Sequence, residues 1–211
     1  MKKIRVLLAD DHRMFLAGLQ KLLEQEFDVV GAVDDGRALI REATRLTPDV
    51  IVADISMPSL NGIEAANKLR SFGSRARLIF LTMHGDSLFV REAMRAGASG
   101  YILKRDAPDK LVFAIQQVAR GKSYVTPEVL NGIGPGTFDG PAERDLGKLT
   151  TRQREVLQLV AEGRTLKEIA AAIQVTVKTV EFHKSQLIRR LGVRSSAELT
   201  AIAIRHGLVS L

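Results

Sequence analysis

Val50-Ile51-Val52-Ala53-Asp54 runs four apolar residues into a single carboxylate. The run does not alternate apolar with polar, so both faces of the strand it forms must be covered. Similar runs occur at Ile4–Ala9 (interrupted by Arg5), Val29–Ala32, Leu78–Leu81 and Tyr101–Leu103. The spacing between them predicts helices over Met14–Gln25, Gly36–Leu46, Ile63–Phe72, Ser87–Ala96 and Pro108–Arg120. Five strands alternating with five helices imply an α/β doubly wound, five-stranded parallel sheet filling residues 1–120.

The polar residues of this domain fall where such a sheet binds ligands. Asp10 and Asp11 end the first strand, Asp54 the third, Thr82 the fourth and Lys104 the fifth. Ligands of open parallel sheets sit outside the carboxyl ends of the strands, at the switch point of the winding. A strand order 2-1-3-4-5 makes the first and third strands neighbours there, so three carboxylates converge. Their repulsion calls for a cation, and hard oxygen ligands with room for water suit Mg²⁺. Lys104 and the Thr82 hydroxyl then supply a charge and a donor opposite the metal. The set suits attack of a carboxylate on a phosphoryl group, with Asp54, alone at the end of the central strand, as the nucleophile.

Residues 121–148 hold six Gly and three Pro and read as a flexible linker, with Thr126-Pro127-Glu128 the one hint of a helical turn. Gly132-Ile133-Gly134-Pro135-Gly136 is not a phosphate loop: no strand precedes it, and Pro135 has no N–H to offer. Residues 149–211 read as helical throughout. Thr150 with Gln153, Thr165 with Glu168 and Ser195 with Glu198 form capping boxes, and Gly163, Gly192 and Gly207 sit at helix stops. The short connection Gln174-Val175-Thr176 makes a helix-turn-helix in an all-α unit of four helices.

Charge is distributed unevenly. Residues 1–120 carry 18 Lys/Arg against 15 Asp/Glu, residues 121–148 three against four, and residues 149–211 ten against five. The basic excess lies in the last third, as a nucleic-acid footprint requires. Without cysteine there is no disulfide framework, zinc finger or thiol nucleophile. No stretch of 18 apolar residues and no signal-peptide core occurs, so a cytoplasmic protein without membrane contact is expected.

On a helical projection of Thr176–Leu191, Val177, Val180, Leu187, Ile188 and Leu191 share one side, with His183 at its border. Lys178, Glu181, Phe182, Ser185 and Arg189 share the other. Lys178, Thr179 and Arg189 suit phosphates. Phe182 on a polar face either packs against another surface or reads a thymine methyl.

These residues carry a resemblance. Asp10-Asp11, Asp54-Ile55-Ser56-Met57-Pro58 with Gly62, Leu81-Thr82-Met83-His84 and Gly100-Tyr101-Ile102-Leu103-Lys104 resemble receiver domains of two-component signalling, which have a flavodoxin-like sheet. The resemblance implies Asp54 as phosphoacceptor, Asp11, Asp54 and the Ser56 carbonyl as Mg²⁺ ligands, and Asp10 acting close by. It makes Thr82 and Tyr101 a switch pair, the ring turning inward when phosphate arrives, and gives His12 and His84 no metal role. Leu149-Thr150, Arg152, Glu155-Val156-Leu157, Lys167-Glu168-Ile169-Ala170, Val177–Val180, His183 and Arg190–Val193 resemble the LuxR-type helix-turn-helix.

Together the two halves resemble the NarL/FixJ class of response regulators. That implies a regulator that is no enzyme beyond slow self-catalysed phosphotransfer and dephosphorylation. Its partners would be a cognate histidine kinase, promoter DNA and a second copy in a homodimer. Thr151, Gln174 and Glu181 depart from the common pattern, where proline, glycine and lysine are frequent. Rival readings are a phosphate-independent DNA-binding protein, a small phosphatase, and an adaptor with a helical tail.

Overall fold

The structure, a computed structural model, describes residues 3–83, 85, 87–131, 149–193, 195–205 and 208–209. Strands β1 (Arg5–Ala9), β2 (Asp28–Val33), β3 (Val50–Ala53), β4 (Arg77–Thr82) and β5 (Gly100–Leu103) alternate with helices α1 (Arg13–Leu23), α2 (Gly36–Leu46), α3 (Gly62–Ser71), α4 (Ser87–Arg95) and α5 (Ala107–Ala119). Helices cover both faces of the sheet. Leu19, Leu23, Leu111 and Ile115 of α1 and α5 pack on one face, and Leu39, Ile63, Leu69 and Val90 of α2, α3 and α4 on the other. Double coverage is why β3 is buried at all four positions and reads as a continuous apolar run.

The sheet has six strands, in the order β2-β1-β3-β4-β5-β6, all parallel. The five-strand expectation is corrected by β6 (Tyr124–Val125), which is followed by helix α6 (Pro127–Asn131). Two residues are too few to show a period. They are held instead by backbone bonds: the Tyr124 and Thr126 amides donate to the Ser99 and Tyr101 carbonyls, each at 3.0 Å. The Gly132–Gly136 stretch lies outside the described residues.

Register places the site. Ala9 pairs with Ala53, and the Asp54 amide donates to the Ala9 carbonyl at 2.8 Å, so Asp10 and Asp54 leave the sheet side by side. Thr82 pairs with Leu103, one residue before Lys104. At Gly62 a β-carbon would stand 2.1 Å from the Asp54 carbonyl oxygen, so only glycine lets α3 start this close to the end of β3.

The C-terminal unit comprises α7 (Thr151–Ala161), α8 (Leu166–Ala172), α9 (Val177–Leu191) and α10 (Ser196–Arg205) around Val156, Leu159, Ile169, Val180, Leu187 and Leu199. The capping boxes of Thr150 and Thr165 are both closed, and Ser195 Oγ accepts the Glu198 amide. Gly163 and Gly192 take the left-handed conformation that ends α7 and α9, while Gly207 lies outside the described residues. Gln174, in the turn where glycine is usual, has φ +56°, a strained value for a side-chain-bearing residue. The Arg152 guanidinium braces that turn by donating to the Ile173 carbonyl at 2.9 Å.

Helix α7 also docks on the first domain. Its face carries Arg154, Glu155 and Gln158, with Glu162 at its C-terminus. Arg154 lies 3.5 Å from Glu64 on α3 and 3.2 Å from Glu92 on α4, and Glu155 pairs with Lys68 of α3 at 2.5 Å. Glu155 and Gln158, both buried, face the first domain, while the apolar residues of the helix pack in the core of the C-terminal unit.

Glu64 is 1% exposed, and burial lifts its carboxyl above the ordinary glutamate range despite Arg154; Glu92 is lifted for the same reason. A carboxyl with a raised folded pKa destabilises the docked chain only when ionised. Its penalty is absent below the ordinary glutamate pKa, grows as pH rises from there toward the raised folded value, and is complete above it. Glu64→Gln should therefore be more stable than wild type near pH 8, with the difference closing as pH falls toward about 5. Thermal unfolding of both proteins across that range checks this, and a pH-independent difference would refute it.

Candidate functional site

Asp10, Asp11 and Asp54 meet at the carboxyl ends of β1 and β3, and Lys104 reaches them from the end of β5. The Lys104 ammonium is 2.6 Å from Asp54 Oδ2 and 2.8 Å from Asp10 Oδ2, and lies over the Phe15 ring at 5.0 Å from its centre. Asp10, Asp54, Ser56 and Lys104 are all buried. Burial raises the Asp54 carboxyl above the ordinary aspartate range, and the Lys104 charge opposes that rise without cancelling it. For Lys104, burial alone would lower the pKa, but Asp54 and Asp10 together outweigh it and hold the ammonium charged.

The donor set fits a hard divalent cation. Ligand atoms of Asp10, Asp11, His12 and Asp54 all lie within 4.8 Å of one another. Asp10 Oδ2 and Asp11 Oδ1 are buried without an aligned hydrogen bond, although Lys104 and His12 stand within ion-pairing distance of them. Carboxylate oxygens with lone pairs to spare, on adjacent strand ends, are the ligands Mg²⁺ takes.

Ser56 stands two residues after Asp54, and its amide reaches Asp54 Oδ1 at 3.3 Å. His12 is more engaged than a solvent-facing loop residue. Its ring is half exposed, yet Nδ1 lies 2.9 Å from Asp11 and 3.2 Å from Asp10. His84 lies outside the described residues. Thr82 and Tyr101 are fully buried on neighbouring strands. The Tyr101 ring is thus already inside, where the family resemblance brings it only after phosphate arrives.

In the second domain Lys178, Glu181, Phe182, Ser185 and Arg189 are all exposed on α9, as the projection predicts. Phe182 is 59% exposed and, among the described aromatic rings, meets the edge of His183, so most of its ring faces away from the rest of the described chain. Thr179 is half-buried, and its hydroxyl bonds that of Thr176 at 2.9 Å, which ties it to the helix cap. His183 is half-buried, and its Nδ1 is buried without a hydrogen-bond partner.

Sequence reasoning missed the residues that join the domains. Gln158, Glu162, Arg154 and Glu155 sit on a helix whose apolar stripe accounts for its own fold. A polar residue buried against a second domain leaves no periodic mark.

Residues 6–116 match the response regulator receiver domain family, and residues 147–203 match the bacterial regulatory proteins of the luxR family. The transcriptional regulatory protein MctR of Rhizobium johnstonii is 35% identical over 99% of this chain and 96% of its own. The response regulator UvrY of Escherichia coli K12 is 31% identical over 97% and 95%. Among solved structures, RcsB of Salmonella typhimurium aligns over the whole of both chains with a TM-score of 0.68 at 27% identity. RcsB of Salmonella enterica serovar Typhimurium bound to promoter rprA in the presence of the phosphomimetic BeF3⁻ aligns over 94% of this chain and 98% of its own, with a TM-score of 0.65 at 29% identity. Two domain matches and full-length relatives agree: the chain belongs to the response regulators that join a receiver domain to a LuxR-type helix-turn-helix domain.

Proposed function

We propose that the chain is a DNA-binding transcriptional response regulator, switched by Mg²⁺-dependent transfer of a phosphoryl group from a histidine kinase to Asp54. The observation that carries this reading is the Lys104 ammonium 2.6 Å from Asp54 Oδ2, beside two further carboxylates at the switch point of the sheet. An Asp54 oxygen attacks phosphorus in line. A P–O bond forms as the donor's P–N bond breaks, and the donor imidazole keeps the electron pair. Lys104 meets the charge on the phosphoryl oxygens, and Thr82 offers its hydroxyl to one of them. Asp10, Asp11, Asp54 and the Ser56 carbonyl would hold Mg²⁺, which when bound neutralises the equatorial oxygens during transfer.

The chain has no helix among the described residues long and apolar enough to cross a membrane, consistent with work on DNA in the cytoplasm. The helix-turn-helix unit, of four helices, carries its reading face on α9. Docking through α7 leaves that face exposed, so phosphorylation acts on the arrangement of domains and copies and not by uncovering α9. One helix-turn-helix makes few base contacts, and a homodimer on spaced half-sites is the assembly that adds them.

Incubated with Mg²⁺ and acetyl phosphate, the protein should gain one phosphoryl mass, and Asp54→Asn should not. Equal uptake by the variant would sink the assignment, and chelating Mg²⁺ should abolish wild-type uptake.

On α9, Lys178 and Arg189 should supply sequence-blind affinity, with Glu181 and Phe182 setting sequence choice. A glutamate beside phosphates is repelled, so it belongs opposite a cytosine amino group, and a phenyl ring suits a methyl. Phe182→Ala should lose about 1–3 kcal/mol at the preferred site and little on random DNA. Glu181→Lys should strengthen random binding and steepen its salt dependence. Affinities for specific and scrambled duplexes across a salt series decide it; equal loss on both from Phe182→Ala would mean the ring does not read sequence.

A further inference from the structure

The segment between Asp54 and α3 is held mainly by its own backbone and by the other domain. Gly62 N–H donates to the Ile55 carbonyl at 2.8 Å, closing residues 55–62 into a loop. Three of the loop's remaining polar groups are taken by side chains of the DNA-binding domain. Gln158 Oε1 accepts the Asn61 amide at 2.9 Å, and Gln158 Nε2 donates to the Met57 carbonyl at 2.7 Å. Glu162 Oε1 accepts the Ser59 amide at 2.9 Å and a bond from Gln158 Nε2 at 2.9 Å. Gln158 is fully buried, and its one primary amide spans both ends of the turn. Ser59, between those ends, has φ +66°, a left-handed value that strains any residue bearing a β-carbon. The loop therefore holds a strained turn beside Ser56, with Glu162 bonded at the strained residue itself.

We infer that Gln158 and Glu162 are positioning residues for the phosphoryl site: the DNA-binding domain completes the loop that carries the Ser56 carbonyl, so docking and Mg²⁺ capture favour each other. The inference rests on the reading of Asp54 as phosphoacceptor. A loop fixed at Met57, Ser59 and Asn61 presents the Ser56 carbonyl without further ordering, which is preorganisation of a ligand. Charge acts in the same sense. Glu162 shares a small cleft with Asp11, Ser56, Met57 and Pro58, where its carboxylate adds to the field that attracts a cation. Because coupling is reciprocal, docking tightens Mg²⁺ binding by the factor by which Mg²⁺ tightens docking, and a variant that undocks the domains weakens Mg²⁺ binding by up to that factor.

The test uses the full chain. Amide hydrogen exchange at Ser59 and Asn61 reads the clamp, calorimetric titration with Mg²⁺ alone reads the coupling, and acetyl phosphate uptake reads the consequence. Gln158→Glu keeps the acceptor for Asn61 but faces the Met57 carbonyl with a second oxygen. It should speed exchange at Asn61 and weaken Mg²⁺ binding by roughly fivefold or more. Uptake should fall at low Mg²⁺ and recover at saturating Mg²⁺, a split that a damaged fold would not give. Glu162→Ala, at the rim, guards against loss of folding and should act in the same direction at Ser59. Glu162→Gln keeps the acceptor for Ser59 and should retain its slow exchange. Adding Ser59→Gly to Glu162→Ala removes the strain and should restore part of the Mg²⁺ affinity. Unchanged exchange in Gln158→Glu and Glu162→Ala would show that the clamp is absent in solution and overturn the inference, as would faster exchange with unchanged Mg²⁺ affinity. Phosphate uptake by Asp54→Asn would instead overturn the underlying reading while leaving the exchange result intact.

Discussion

Three carboxylates and one ammonium share the carboxyl end of the sheet, Asp10, Asp54 and Lys104 nearly out of reach of water, and their mutual compensation constrains everything around them. Burial drives Asp54 toward its neutral form and the Lys104 charge opposes it, while burial drives Lys104 toward its neutral form and Asp54 and Asp10 outweigh it. That balance fixes the end of β5 against β1 and β3 across the intervening β4. It favours the observed strand order, in which β1 and β3 are neighbours and β5 stands one strand beyond. The compensation is incomplete, because three negative charges face one positive. The residual negative charge is what makes the site a cation trap, and burial makes its field strong.

The same logic recurs, more weakly, where the domains meet. Arg154 stands between Glu64 and Glu92, again with one cation for two carboxylates, and again burial raises the acids. Buried ion pairs return little net stability after desolvation, but removing the shared cation would leave two carboxylates buried together. An interface built from Arg154, Glu155, Gln158 and Glu162 is accordingly particular about geometry without being irreversibly tight. Helix α7 is the element that makes this possible. It gives its apolar stripe to the helix-turn-helix core and its polar stripe to α3, α4 and the loop after Asp54.

Much of this could be read from the sequence because it obeys periods and places. Val50–Ala53 reads as a doubly covered strand, and Asp10, Asp54, Thr82 and Lys104 occupy strand ends. Thr150 with Gln153 marks the start of α7, and Gln174 sits where the turn needs a left-handed residue. The strand β6 was not legible, because Tyr124-Val125 is short and is held by backbone groups of β5 that any sequence presents. Nor was the docking face, since Gln158 and Glu162 look like ordinary solvated residues of an amphipathic helix. Their partners are main-chain groups about 100 residues away, and backbone amides leave no trace in sequence. His12 fell between the two cases: its place in the site is set by the chain reversal after β1, not by any spacing.

The two charge centres also give opposite signs to the two events proposed at Asp54. Glu162 lies beside the loop and shares a cleft with Asp11. A bound divalent cation there reduces the repulsion between the receiver's carboxylates and α7, and so favours docking. Converting the Asp54 carboxylate to an acyl phosphate replaces one negative charge by about −1.5 to −2 at the same place and opposes that effect. By that sign, phosphorylation of Asp54 would loosen α7 without contacting it, through the field and through the loop that Gln158 and Glu162 hold. Since the exposed face of α9 stays uncovered while α7 is docked, release would not expose a hidden helix. It would free the orientation of α9 relative to the receiver, which a dimer on DNA requires: two recognition helices must meet half-sites a helical turn apart, about 34 Å.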